Sequence, residues 1–140
     1  MTNIVIARNQ KADNKREAIE LAGKLLWQEG HVEASYIDKM QEREEMLTTY
    51  LGNGVAIPHG TNEAKTMIKS TGISIVQLPD GVDFGEGNKA RLLIGIAGVG
   101  DEHLDILSDL AIVVSEEENV ERLVNATTDE EIMDIIKGGM

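Results

Sequence analysis

The chain contains no cysteine, which removes disulfides, thiolate metal sites and cysteine nucleophiles together. Proline is limited to Pro58 and Pro79, and no stretch rich in proline, glycine or serine reads as a linker, so the 140 residues are expected to form a single domain, 1–140. Aromatic residues are only 3% of the chain, namely Trp27, Tyr36, Tyr50 and Phe84. Basic charge is also short: 13 Lys and Arg stand against 25 Asp and Glu, a net charge of −12. Stacking platforms for single strands need aromatics beside basic charge, and an acidic surface is repelled by phosphate backbones and anionic membranes, so nucleic acid is excluded as a partner. No apolar run approaches the ~20 residues of a membrane span, and the one at Ile4–Ala7 is too short for a signal peptide. A cytosolic protein is expected, touching a membrane only through a membrane-embedded partner. Since the chain starts at Met1, it also reads as a free subunit.

What is present supports a folded domain. Hydrophobic residues make up 41% of the sequence, and a chain of this size buries about two-thirds of its unfolded surface. The periodicity switches repeatedly between helical and extended. Asp13 can cap a helix with Ala18, Leu21, Ala22, Leu25 and Leu26 on one stripe, ended by Gly30. Ser35 can open a second helix carrying Ile37, Met40 and Met46–Leu47. Gly52–Asn53–Gly54 signals a turn into the short apolar stretch Val55–Ile57. Ile73–Leu78 reads as a strand buried on both faces, with a turn at Pro79–Asp80–Gly81. The continuous apolar run Leu92–Ala97 suits a central strand covered on both sides. The last third is helical: one pattern starts at Asp101, Ser115 caps a second segment with Val120, Leu123 and Val124, and Thr128 and Glu131 form a capping box before Ile132. The fold class is therefore α/β, a mixed sheet flanked by helices on both sides.

Few residues can carry chemistry. Gly95–Ile96–Ala97–Gly98–Val99–Gly100 lacks the G-x-G-x-x-G spacing and reads as a strand leaving through a glycine-rich corner. Of the three histidines, His31 follows Gly30 and suits a surface or helix-end role. His103 sits in the first turn of a helix, just after the central strand, where ligands of open α/β sheets collect. His59 lies in Gly54–Val–Ala–Ile–Pro–His–Gly–Thr61. Pro58 keeps Ile57 extended and should stop the ladder, while Gly60 permits close approach or a positive φ behind the ring. The helix-like Asn62–Ile68 that follows would offer N–H groups at its start, where an anion is welcome. An imidazole there suits nucleophilic attack on phosphorus. On spacing alone, a histidine decorating a turn fits equally well. Arg43 could offset phosphoryl charge. Surrounded by glutamates, it reads more simply as part of a solvated helix face.

The whole chain resembles the IIA components (EIIA) of the bacterial phosphoenolpyruvate-dependent sugar phosphotransferase system, in the mannitol/fructose superfamily and nearest its mannitol class. The likeness is carried by Arg43–Glu–Glu, Tyr50–Leu–Gly–Asn–Gly–Val–Ala–Ile–Pro–His–Gly–Thr61, Glu63–Ala–Lys65, Gly72–Gln77, Pro79–Gly85, Ala90–Ala97 and Glu102–His–Leu–Asp105. The resemblance implies that His59 is phosphorylated, at its tele nitrogen, by the phosphocarrier HPr. His103 then matches a second active-site histidine, and Arg43 an arginine near the phosphoryl group. It implies no cofactor and no metal, and it implies onward transfer to a cysteine of EIIB, on the EIIB–EIIC mannitol permease, since this chain has no cysteine. Val55, Ile57, Leu104 and Ile106 are expected to form an apolar docking patch, with the acidic net charge assisting encounter with a basic partner face. One departure stands out: Asn53 occupies a turn position where similar proteins can carry an acid. A related EIIA-like domain could instead signal its phosphorylation state to regulatory partners, although Pro79–Gly85 looks mannitol-type.

Overall fold

A computed structural model describes residues 3–138. In chain order the elements are β1 (Asn3–Ala7), α1 (Lys15–Gln28), α2 (Tyr36–Met46), β2 (Tyr50–Gly52), β3 (Val55–Ala56), a short 3-10 helix (Asn62–Met67), β4 (Gly72–Asp83), β5 (Lys89–Ala97), α3 (Glu102–Ser115), α4 (Glu117–Asn125) and α5 (Asp129–Gly138). Among the described residues the sheet has five strands in the order β1-β4-β5-β3-β2. β1 runs parallel to β4 and β3 parallel to β5, while β4–β5 and β2–β3 are antiparallel. The sheet is mixed, and β5 is its middle strand, as the unbroken apolar run Leu92–Ala97 requires.

Each face of that strand buries a separate core. Val76, Leu78, Leu93 and Ala97 meet Ala18, Ile19, Ala22 and Leu26 of α1. On the other face Ile73, Ile75, Leu92, Ile94 and Ile96 meet Ile106 and Leu110 of α3, Leu123 of α4 and Ile132 and Ile136 of α5. Burying each of the Val, Leu and Ile side chains among these stabilises the fold by about 1.5–3 kcal/mol, so the two-sided sheet is the main source of cohesion. Polar groups inside are matched: Ser74 Oγ donates to Ala22 O at 2.8 Å, and Gln77 Nε2 donates to Leu123 O and Ala126 O at 2.8 and 2.9 Å.

Several boundaries differ from the sequence expectation. Asn14, not Asp13, caps α1 by accepting the Glu17 N–H at 2.9 Å. Beyond Glu29, Gly30 takes φ +78° while Gly30 N and His31 N donate to Trp27 O and Leu26 O, a glycine-closed Schellman end. Pro79–Gly81 does not end β4: the register slips between Gln77 and Val82 and the strand continues to Asp83, because a bulge tolerates a proline without a ladder donor. Ser115 closes α3, its hydroxyl donating to Ile112 O, and Glu116 precedes α4. In the expected capping box, Glu131 N donates to Thr128 Oγ1, but the carboxylate reaches back one residue further, to Thr127 N.

Asn53 explains its own departure from the acidic pattern. It holds φ +53° in the β2–β3 turn, and its Nδ2 donates to Val114 O and Ser115 O at 3.2 and 3.4 Å, capping the last carbonyls of α3. A carboxylate has no proton to give there and would sit against the negative helix end. Asn53→Asp is expected to lower stability by about 1–2 kcal/mol at neutral pH, from one lost hydrogen bond and one unfavourable dipole contact. Urea unfolding at pH 7 and at pH 3 checks this, since protonating the new acid should recover part of the loss.

Candidate active site

β3 delivers His59 to the carboxyl end of the central strand. The two-residue β3 lies beside Leu92 and Leu93, and the pairing resumes beyond Pro58, where Ile96 N donates to Pro58 O at 2.9 Å and His59 bridges to Ile96. Pro58 thus interrupts the ladder without ending it. Tyr36, buried at the start of α2, fastens this exit: its hydroxyl donates to Ile96 O and accepts the Gly60 N–H, both at 2.9 Å. Burial pushes the Tyr36 phenol up to about 12, so it stays protonated and able to donate. A Cβ on Gly60 would stand 2.5 Å from the Tyr36 ring, so Gly60 serves close approach rather than positive φ.

The His59 ring is half-buried, and its Nδ1 lies 2.8 Å from Ile57 O. A carbonyl only accepts, so Nδ1 carries the proton and Nε2 keeps the lone pair. His103 stands edge-on to it, with ring centroids 5.1 Å apart and planes at 61°. The glycine-rich corner permits this, because a Cβ on Gly98 would meet the His103 Cα at 2.4 Å. Arg43, late in α2, donates from Nη1 to Leu47 O at 2.5 Å. Arg43, His59 and His103 line one cleft of about 160 Å³ with Met46, Asn62 and Glu63. Arg43 and His59, 16 positions apart, are thus brought together with His103, 44 positions beyond His59.

Three expectations are corrected. Residues Asn62–Met67 form a 3-10 helix, and Thr61 makes no side-chain cap, so two short turns replace the aligned dipole of an α-helix. Of the two roles expected for His31, the helix-end one holds, since its N–H closes α1, but the surface one does not: it is buried, with Nδ1 2.8 Å from Ser70 Oγ and its ring packed over Gly72, outside the cleft. Of the expected docking residues, Val55 and Ile106 are 0% and 3% exposed and Ile57 8%, because they face the α3 side of the sheet core. They cannot form a contact surface. Leu104 is 64% exposed, as are Met46, Leu47 and Val99 at 71%, 68% and 45%. Sequence reasoning passed over Tyr36 as one aromatic among four. Nothing local in Ser35–Tyr36–Ile37 signals a hydroxyl aimed at Gly60.

Both cleft histidines are pulled below the ordinary imidazole value. For His59 burial is the largest cause and the Arg43 charge adds to it, against the Ile57 carbonyl and Glu44. For His103 burial leads, followed by His59 and Lys65. The native state thus prefers neutral rings, whereas the unfolded chain protonates near about pH 6.5. Their stabilising contribution is present above that pH and is lost as pH falls through it toward the folded value. A nucleophilic Nε2 should accordingly keep its full reactivity while pH drops through about 6.5 and decline only below it. A pH series of ring resonances for His59 checks this directly; a midpoint above the free-imidazole value contradicts it.

Among the described residues no group of three or more His, Asp or Glu is placed to hold a metal ion. A neutral imidazole with one free nitrogen, a second imidazole and a guanidinium around one cleft suit phosphoryl transfer through a histidine. The comparisons agree. Residues 1–139 match the family described as "Phosphoenolpyruvate-dependent sugar phosphotransferase system, EIIA 2", and the chain belongs to that family. It is 59% identical over 134 residues to the mannitol-specific phosphotransferase enzyme IIA component of Geobacillus stearothermophilus, covering 96% of this chain and 91% of that one. Two solved structures from Escherichia coli share the fold. The complex of enzyme IIA of the mannitol system with phosphorylated enzyme IIB aligns with TM-score 0.89 and 40% identity over 95% of this chain and 94% of that one. The crystal structure of IIA mannitol aligns with TM-score 0.87 and 41% identity, covering 94% of each. The chain is thus a phosphotransferase component, and its mixed sheet is that of the mannitol-type IIA structures.

Proposed function

We propose that this protein is a cytoplasmic mannitol-type EIIA that takes a phosphoryl group from phosphorylated HPr onto Nε2 of His59 and passes it to the EIIB domain of a mannitol permease. The observation that carries the reading is the Nδ1–H bond to Ile57 O, which leaves Nε2 as the ring's lone pair in the cleft shared with His103 and Arg43. In the forward step the donor's P–N bond breaks as the bond to Nε2 forms. The donor ring leaves as neutral imidazole, while the His59 ring gains positive character that the Ile57 carbonyl stabilises through Nδ1–H. Onward, the same retained proton makes His59 a neutral leaving group for attack by the EIIB cysteine thiolate. Little covalent assistance is needed, so alignment and charge dominate. Arg43 and His103 supply N–H donors to the phosphoryl oxygens, and Arg43 spends one of its five on Leu47 O. No helix of the described chain is long and apolar enough to cross a membrane, which fits a subunit that reaches the membrane through its permease.

Of the docking residues expected from sequence Leu104 is exposed, and the exposed Met46, Leu47 and Val99 join it in the proposed patch. Met46 lines the cleft, Leu47 is tied to Arg43, Leu104 follows His103 in the chain, and Val99 lies in the glycine-rich corner four residues before it. Exposed apolar side chains on segments that carry the cleft residues suit a small transient interface. The testing experiment combines the protein with phosphoenolpyruvate, enzyme I, HPr and the EIIB–EIIC mannitol permease. One acid-labile phosphoryl adduct by intact mass and formation of mannitol phosphate are expected. An adduct without mannitol phosphate favours a signalling role; no adduct on folded protein removes the reading.

A further inference from the structure

Behind His59 lies a buried carboxylate that the transfer chemistry does not use. Glu44 follows Arg43 on α2, and one helical step of about 100° turns it from the cleft into the protein, where it is 4% exposed. Its Oε1 accepts both the backbone N–H and the hydroxyl of Thr49, at 2.9 and 2.6 Å. Thr49 O accepts the Ile57 N–H at 3.1 Å, and Ile57 O accepts Nδ1–H of His59 at 2.8 Å. Three consecutive links thus run from the carboxylate to the nucleophilic ring. The other oxygen, Oε2, is buried without a hydrogen bond, 3.7 Å from Lys15 Nζ at the start of α1.

An apolar residue would fill this position without the desolvation cost of a charge, and a buried carboxylate is weak support for stability. What the carboxylate supplies is two directed acceptor contacts to Thr49. The residues just before Thr49, Leu47 and Thr48, are exposed, and of the side chains on α2 Arg43 reaches the connection at Leu47 O while Glu44 reaches Thr49, the residue that bonds Ile57. We propose that Glu44 is a positioning residue: through Thr49 and Ile57 it fixes the ring orientation and the Nδ1–H tautomer of His59. The inference rests on the reading of His59 as phosphoryl acceptor, but its geometry exists in the unphosphorylated protein and is testable there. The effect is one of placement, since the Thr49 N–H and carbonyl belong to different peptide units and do not polarise one another directly.

The test measures the two ring nitrogens of His59 by 15N NMR in unphosphorylated protein above pH 7, beside the rate of transfer from phosphorylated HPr. In the wild type a single Nδ1–H tautomer is expected. Glu44→Ala should mix the two tautomers and slow transfer about tenfold, because small misplacements at a reacting atom are costly. Glu44→Gln keeps a carbonyl oxygen for Thr49 and should restore the tautomer, with transfer within about threefold of wild type. Lys15→Met removes the ion pair alone and should leave both readouts unchanged. If Glu44→Ala does not fold, Thr49→Val replaces it: losing one of the two contacts should shift the tautomer in the same direction, and Thr49→Ser should reverse the shift. A folded Glu44→Ala or Thr49→Val with the wild-type tautomer overturns the proposal. A wild-type protein that shows the Nδ1–H tautomer yet accepts no phosphoryl group overturns the acceptor reading instead and leaves the positioning chain standing.

Discussion

Replacing His59 by alanine is expected to abolish phosphorylation by phosphorylated HPr while leaving the fold intact. The ring belongs to neither apolar core, and its one polar contact is the bond to Ile57 O, so the stability cost should be about 1 kcal/mol. The chemical cost is different in kind, because the attacking lone pair is gone. His103 does not replace it: its ring centre lies 5.1 Å away at 61°, and a phosphorus aligned on His59 is out of line for it. Misplacement by ~1 Å already costs about a hundredfold in rate. Intact-mass measurement at neutral to alkaline pH, which preserves a P–N bond, should show no adduct, with circular dichroism unchanged. An adduct on folded His59→Ala would move the acceptor to another residue, with His103 the first to examine.

The second large effect is expected at Arg43. Removing a fixed donor aimed at developing charge typically costs about 10²–10³ in rate, and Arg43→Ala should slow transfer by about a hundredfold. Arg43→Lys should recover only part of this, since an ammonium keeps the charge but not the planar fork. Two further readouts separate this role from simple packing. The guanidinium depresses the basicity of His59, so its removal should move the His59 titration back up toward the ordinary imidazole value. It also holds Leu47 O, so docking and chemistry can be resolved by comparing the dependence on HPr concentration with the rate at saturation. His103→Ala, which removes the second donor proposed for the phosphoryl oxygens, should cost about tenfold with the fold intact. Unchanged single-turnover rates in both variants would remove the roles assigned to Arg43 and His103.

Much of the architecture was legible because burial imposes period. Leu92–Ala97 could only be a strand covered on both faces, and it became the middle strand β5. Residues 15–28 and 129–138 carried helical spacing with end signals, and they are helices to within a residue or two. The misreadings share one origin: a local signal was judged without its tertiary partner. Pro79–Gly81 looks like a turn until β5 is present to continue pairing past a bulge. Ser115 looks like an N-cap until α3 extends far enough to claim it. Val55, Ile57 and Ile106 were expected at the surface because they neighbour the site in sequence. Neighbours alternate faces on a strand and rotate by about 100° on a helix, so the residue beside a surface position is often in the core.

By itself the sequence determined which residue types were available. With cysteine absent and charge predominantly acidic, histidine chemistry beside Pro58 and Gly60 was the strongest option left, and the family resemblance implied Arg43 and His103 beside it. Only the tertiary structure decided the state of that chemistry. Which His59 nitrogen holds the proton depends on Ile57 O, and Ile57 is linked through Thr49 to Glu44. The peptide after His59 depends on a hydroxyl 24 residues upstream, that of Tyr36. The reason is physical: tautomer, orientation and basicity are set by hydrogen bonds and burial, and these arise between chain segments that meet only when the sheet closes.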